Sequence, residues 1–172
     1  MRVTGEVKPR PPQASQCITI VGSLKGLQAK ILIDTGSSIN AVSPAFAALS
    51  QIDVFPLDTP IGLQLGCVGS RSKINFGCQA SLSINDRAYE TYLDVVNLDH
   101  YDLVLGIPFL AEHRAQLTFR PRGMMLGERV ITVLGGREYA VVSHKKGRAH
   151  AGTHAGKPLT LHRAAVDASK QE

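Results

Sequence analysis

Alternation of apolar and polar residues dominates the chain. Residues 17–22 are β-branched and alternate, residues 27–33 form a second apolar run, and the turn formers at 23–26 join them into a predicted hairpin. Ser43-Pro44-Ala45-Phe46-Ala47-Ala48-Leu49 breaks the alternation. It predicts a short helix, with Ser43 as N-cap and Pro44 at the first helical position. Residues 61–66 and 72–76 predict a second hairpin around Cys67-Val68-Gly69-Ser70-Arg71. Residues 80–84 alternate with period two, turn at Asn85-Asp86-Arg87 and return through 89–96. Tyr101-Asp102-Leu103-Val104-Leu105-Gly106 reads as a buried strand, followed by a short helix over 107–114 that has Pro108 near its start and basic residues at its end. Residues 116–119, 124–126 and 129–134, punctuated by the turn Arg120-Pro121-Arg122-Gly123, read as short strands suited to an edge or an interface. The expected class is all-β, with eight or nine short strands and two small helices.

The ends read differently from the middle. Residues 1–14 are polar and Pro-rich, an extended linker. Residues 137–142 offer at most one more strand, and the segment 137–172 as a whole reads as a basic, flexible tail rich in Lys, His, Gly and Ala. A single folded domain is therefore expected over residues 15–136. Composition agrees: 172 residues suffice for one core and not for two full domains, and 16 Gly and 9 Pro with only 5% aromatics suit a turn-rich β fold better than a helical bundle.

The formal net charge of +5 sits in the ends: residues 1–16 carry +2 and the stretch from Ser143 onward +4, leaving −1 for the centre. A basic tail attracts nucleic acid or acidic surfaces without specificity, and a solvated tail is the plainer reading. Cys17, Cys67 and Cys78 are odd in number and form no C-x-x-C pair, which argues against a disulfide framework or a structural zinc site. His144, His150, His154 and His162 have no spacing that fixes a tetrahedral metal site, so neither metal nor cofactor is expected. The first residues lack the apolar run of a signal peptide, and no segment is apolar for long enough to cross a bilayer, so a reducing, cytoplasmic setting is expected.

Candidate chemistry lies in Ile31-Leu32-Ile33-Asp34-Thr35-Gly36-Ser37-Ser38. A carboxylate set directly after three apolar β residues is costly unless it serves something. Gly36 permits a sharp turn, and Thr35 and Ser37 supply small hydroxyls beside the carboxylate. From 8 Asp, 9 Thr and 16 Gly, chance gives about 0.04 occurrences of Asp-Thr-Gly in this chain. The partner feature is Leu105-Gly106 leading into the second helix.

These residues resemble the retropepsins, the aspartic proteases of retroviruses and retrotransposons, and the gypsy-type retrotransposon enzymes in particular. Their pattern is an apolar strand into Asp-Thr/Ser-Gly, a hairpin flap, and a Tyr-Asp-apolar-apolar-Leu-Gly strand into a helix. Asp34-Thr35-Gly36, the hairpin around Cys67, and Tyr101 to Gly106 with Pro108-Phe109-Leu110 match it, over roughly residues 15–127. Ser37 after the glycine is also pepsin-like, where many retroviral enzymes have Ala.

The resemblance implies a closed acid-protease barrel and an endopeptidase in which Asp34 is catalytic. It also implies an active-site loop of Thr35, Gly36 and Ser37, and a substrate-binding flap at Cys67, Val68, Gly69 and Ser70. Peptide hydrolysis by this class needs two carboxylates sharing one proton. The chain holds no second Asp-Thr/Ser-Gly; the nearest miss is Asp58-Thr59-Pro60. The economical solution is a C2 homodimer with Asp34 from each chain on the axis. The expected substrate is a peptide, such as the junctions of a retrotransposon polyprotein. The rivals are a host retroviral-like protease acting on cellular proteins, and a catalytically silent dimerisation or peptide-binding module of the same fold. A nucleic-acid-binding protein working through its ends would lack the aromatic residues that stack on bases.

Overall fold

In the computed structural model, which describes residues 17–64 and 71–135, ten strands and two short helices occur among the described residues. The expected linker, the hairpin tip at Cys67, Val68, Gly69 and Ser70, and the basic tail lie outside the described residues.

Strands β1 (Thr19–Leu24) and β2 (Leu27–Ile33) form the first hairpin. Its two-residue turn, Lys25-Gly26, has φ of 46° and 79°, the left-handed pair that matches the natural strand twist. Strand β3 (Ala41–Val42) precedes α1 (Pro44–Leu49), whose N-cap is Ser43 as expected: its Oγ accepts the Phe46 N–H at 3.2 Å. Strands β4 (Val54–Gln64), β5 (Arg71–Ile84) and β6 (Arg87–Val95) form a meander, with the β5–β6 turn at Asn85-Asp86 again left-handed. Strand β7 (Leu103–Leu105) runs into α2 (Ile107–Glu112), and β8 (Ala115–Phe119), β9 (Arg122–Leu126) and β10 (Arg129–Ile131) close the described chain.

The main sheet has the order β1-β2-β7-β3-β6-β5-β4, and β1 also pairs with β5 through Ser23–Ser83 and Leu24–Leu82. Six strands thus close into a barrel, and β4 hangs outside as an edge. The remaining strands form a three-stranded sheet, β10-β9-β8, whose Met124, Leu126 and Ile131 join the barrel's core. Ile20, Ile31, Leu82, Ile84, Leu93, Leu103, Leu105 and Phe109 are essentially inaccessible at its centre. Each such side chain contributes about 1.5–3 kcal/mol by leaving water.

The fold is all-β with two short helices, as the sequence predicts; it has ten described strands rather than eight or nine, β3 being unforeseen, and three runs differ in extent. The runs at 72–76 and 80–84 belong to one 14-residue strand, β5. Gly77 does not interrupt it, because the missing side chain makes room for Tyr92 of β6: a Cβ there would lie 2.2 Å from the Tyr92 hydroxyl. Strand β4 begins at Val54 and continues through Pro56 and Pro60, with an irregular register between Pro56 and Ile61. An edge strand tolerates prolines, which lack the donor a central strand needs. Last, Arg122 and Gly123 lie within β9, leaving only Arg120-Pro121 as the turn.

Candidate active site

Strands β2 and β7 lie side by side in parallel, with Ile33 opposite Leu105. At their ends the chain must leave the sheet without orphaning its backbone groups. The Asp34 N–H donates to Leu105 O at 3.0 Å, the Ser37 N–H to Asp34 O at 3.2 Å, and the Ile107 N–H to Ser37 O at 2.8 Å. The loop 34–37 is thereby sewn to the start of α2. Within it, the Gly36 N–H donates to Asp34 Oδ1 at 2.9 Å, which orients the carboxyl. Asp34 is half-buried, Thr35 and Gly36 are exposed, and the Ser37 Oγ donates to Ile39 O at 2.8 Å.

Gly106 is where two backbones meet. A Cβ on it would stand 2.2 Å from Ile39 O and 2.6 Å from Ser37 O, so no larger residue fits. Having no side chain, Gly106 cannot cap α2 itself. Asn40 does so from across the fold: its Oδ1 accepts from the Gly106 N–H at 3.0 Å and the Phe109 N–H at 3.3 Å, and its Nδ2 donates to Thr91 Oγ1 at 3.4 Å. The Tyr-Asp that opens the second motif is a latch. Asp102 Oδ2 accepts the Lys30 N–H at 2.9 Å, and the Asp102 N–H donates to Lys30 O at 2.9 Å. The Lys30 ammonium lies 5.3 Å from the Tyr101 ring centre, within cation–π range.

Residues 30–129 match the family described as the PEG10/RTL1 protease domain. The chain belongs to that family. This PEG10/RTL1-type protease domain has a retropepsin-like fold, and its structure is similar to the retroviral protease-like domain of Ddi1 from Leishmania major. That similarity has a TM-score of 0.57 at 11% identity, covering 70% of this chain and 96% of that one. It is also similar to EIAV protease complexed with the inhibitor HBY-793, with a TM-score of 0.49 at 17% identity, covering 63% of this chain and 99% of that one. No curated protein sequence matches the chain. Among the described residues no helix is long and apolar enough to cross a membrane, and no group of three or more His, Cys, Asp or Glu could hold a metal ion.

Within the PEG10/RTL1-type domain, Asp34, Thr35, Gly36 and Ser37 come together on one loop, while the expected flap residues Cys67, Val68, Gly69 and Ser70 lie outside the described residues. Sequence reasoning missed Asn40 and a second carboxylate, Asp94. Leu32 faces away from the core residues Ile31 and Ile33, and the ladder from Leu32 to Val104, Ala41 and Asp94 keeps one face throughout. β2 ends at Ile33, and the Asp34 loop leaves the sheet there, two residues beyond Leu32. Asp94 is 3% exposed, and its Oδ1 accepts the Tyr92 hydroxyl at 3.0 Å. Burial pushes its pKa upward, opposed only by the Tyr92 hydrogen bond. Burial and the Asp94 interactions raise the Tyr92 phenol to about 12, and burial, then Asp94, raises the Cys78 thiol to about 11. The alternating run 89–96 holds two acids on one side, Glu90 and Asp94, and only the second is buried, which the pattern alone does not distinguish.

Proposed function

We propose that this chain is an aspartic endopeptidase that works as a C2 homodimer, with Asp34 of each copy forming one catalytic pair. One carboxylate, ionised, takes a proton from water, which attacks the peptide carbonyl. The other, protonated, gives its proton to the carbonyl oxygen as the tetrahedral diol forms. The first then passes the proton it took from water to the amine nitrogen as the C–N bond breaks, and a diol hydroxyl returns a proton to the second as the new carboxyl forms. Two carboxylates so close cannot both ionise cheaply, so they share a proton and titrate as a unit. Flaps at Cys67, Val68, Gly69 and Ser70 would close over the peptide and exclude water. The natural substrate on this reading is the set of junctions in a retrotransposon polyprotein.

The observation that carries the reading is the Asp34 loop: a half-exposed carboxyl, oriented by the Gly36 N–H, on a turn that is tied at both ends to β7 and α2. Dimerisation draws support from what surrounds it. Ile107, joined by its N–H to Ser37 O, is 47% exposed, and β8 is an edge strand that ends in Phe119, 71% exposed. Exposed apolar side chains and an open strand edge are surfaces that a second copy would cover.

The test is a mixed peptide library at acidic and neutral pH. Asp34→Asn should lose cleavage by at least about a thousandfold while retaining the parent's sedimentation behaviour and melting temperature. A variant that cleaves as fast as the parent overturns the assignment.

A further inference from the structure

The sheet face that holds Leu32, two residues before the Asp34 loop, also carries a polar feature about three strand widths away. Reading across the ladder, Leu32 lies beside Val104, Val104 beside Ala41, Ala41 beside Asp94, Asp94 beside Gly77, and Gly77 beside Phe55. Asp94 forms a floor there. Tyr92, on the same face two residues earlier, donates its hydroxyl to Asp94 Oδ1, and the Phe55 ring stands 6.3 Å from the Tyr92 ring, 41% exposed. The absent side chain at Gly77 leaves the space that the Tyr92 hydroxyl occupies.

We propose that Asp94, walled by Tyr92 and Phe55, is the specificity-determining group of a subsite that selects a basic residue, arginine above all, in the bound peptide. The inference rests on the endopeptidase reading. Asp94 Oδ1 is engaged by Tyr92, and Oδ2 accepts no hydrogen bond from the described residues. In its charged form a carboxylate so buried is costly, and either a proton or a cation relieves that cost. No cation contributes to its raised pKa, whose causes are burial and the Tyr92 hydroxyl alone. A substrate guanidinium would supply what is missing. Its planar fork suits a carboxylate, and its faces suit two aromatic rings.

Position follows from strand spacing. At about 4.8 Å per strand, Asp94 lies about 14 Å across the sheet from β2, at whose end the Asp34 loop begins. An extended peptide advances about 3.3 Å per residue, and a long side chain spans part of the distance, so the selected residue lies about two to four positions from the scissile bond. The twofold axis would repeat the subsite on the other side of the bond.

The experiment compares kcat/KM for paired peptides, identical except for Arg or Ala at each of those positions, in the dimeric parent, Asp94→Asn and Phe55→Ala. The parent should prefer Arg by about tenfold or more at one position, the scale of a charge-assisted hydrogen bond. Asp94→Asn should collapse the ratio to about twofold or less, and Phe55→Ala should lower it partway. No preference in the parent, or a ratio unmoved in Asp94→Asn, overturns the subsite while sparing the enzyme. If Asp94→Asn does not fold, Phe55→Ala decides, because its side chain is exposed and an unmoved ratio there also overturns the subsite. A parent that cleaves no peptide in the library overturns the endopeptidase reading itself.

Discussion

Strands β2, β6 and β7 each have two unlike faces. Toward the barrel interior they present Ile31, Ile33, Leu93, Leu103 and Leu105, almost fully removed from water, joined on β6 by buried Tyr89 and Thr91. The other face carries Lys30 and Leu32 on β2 with the Asp34 loop just beyond it, Val104 on β7 with Asp102 just before it, and Tyr92 and Asp94 on β6. The first face answers mainly to volume and water exclusion, with one hydrogen bond from Asn40 to Thr91. The second holds charges in places where burial makes them expensive, and each has a specific partner: a backbone N–H for Asp34 and Asp102, a phenol for Asp94, an aromatic ring for Lys30. Stability is concentrated on one side of the sheet and chemistry on the other.

The sharpest way to break that contrast uses one residue type on both faces. Leu103→Ala, on the interior, should cost about 2–5 kcal/mol by denaturant unfolding. Leu32→Ala, half-buried on the opposite face, should cost less than half of that. Equal losses would show that both faces are packed alike. Asn40→Ala leaves two amide donors at the start of α2 without an acceptor and should cost about 1–3 kcal/mol. Cleavage should fall further than stability, since the same cap positions Gly106 against the Asp34 loop.

The smallest effect is a pH dependence. Asp94 has a folded pKa raised above its unfolded value, so the native state holds its proton longer than the unfolded chain does. Its contribution to stability is present below the unfolded pKa and falls as pH rises through the window up to the folded value. A melting-temperature profile should show this decline in the parent and a shallower one in Asp94→Asn. Identical profiles would mean that Asp94 is as well solvated folded as unfolded.

Most of the fold was legible in the sequence because the barrel is built from local signals. The two left-handed turns at Lys25-Gly26 and Asn85-Asp86, the Ser43 cap, and the alternation along β1, β5 and β6 are short-range features. Asp34-Thr35-Gly36 and Leu105-Gly106 were also legible, as two segments that a close backbone approach requires to be small and specific. What escaped was non-local. Two-residue β3 is too short for any pattern and exists because β6 and β7 both pair with it. Asn40 looks like an ordinary loop residue until α2 is folded against it. Asp94 sits in a run whose alternation is correct, yet the outer side of that run is exposed at Glu90 and buried at Asp94; periodicity identifies the faces of a strand and says nothing about what covers each position on them.

The Lys30–Asp102 latch joins residues 72 positions apart, and the Asn40 cap reaches 66 and 69 positions ahead to Gly106 and Phe109. Contacts this distant in the chain close late in folding, after the entropy of the intervening loop has been overcome. A nascent chain emerging from the ribosome therefore carries no assembled Asp34 loop until α2 has been synthesised and docked. Whatever this domain does with that carboxyl, it can begin only after nearly all of its own barrel has been translated.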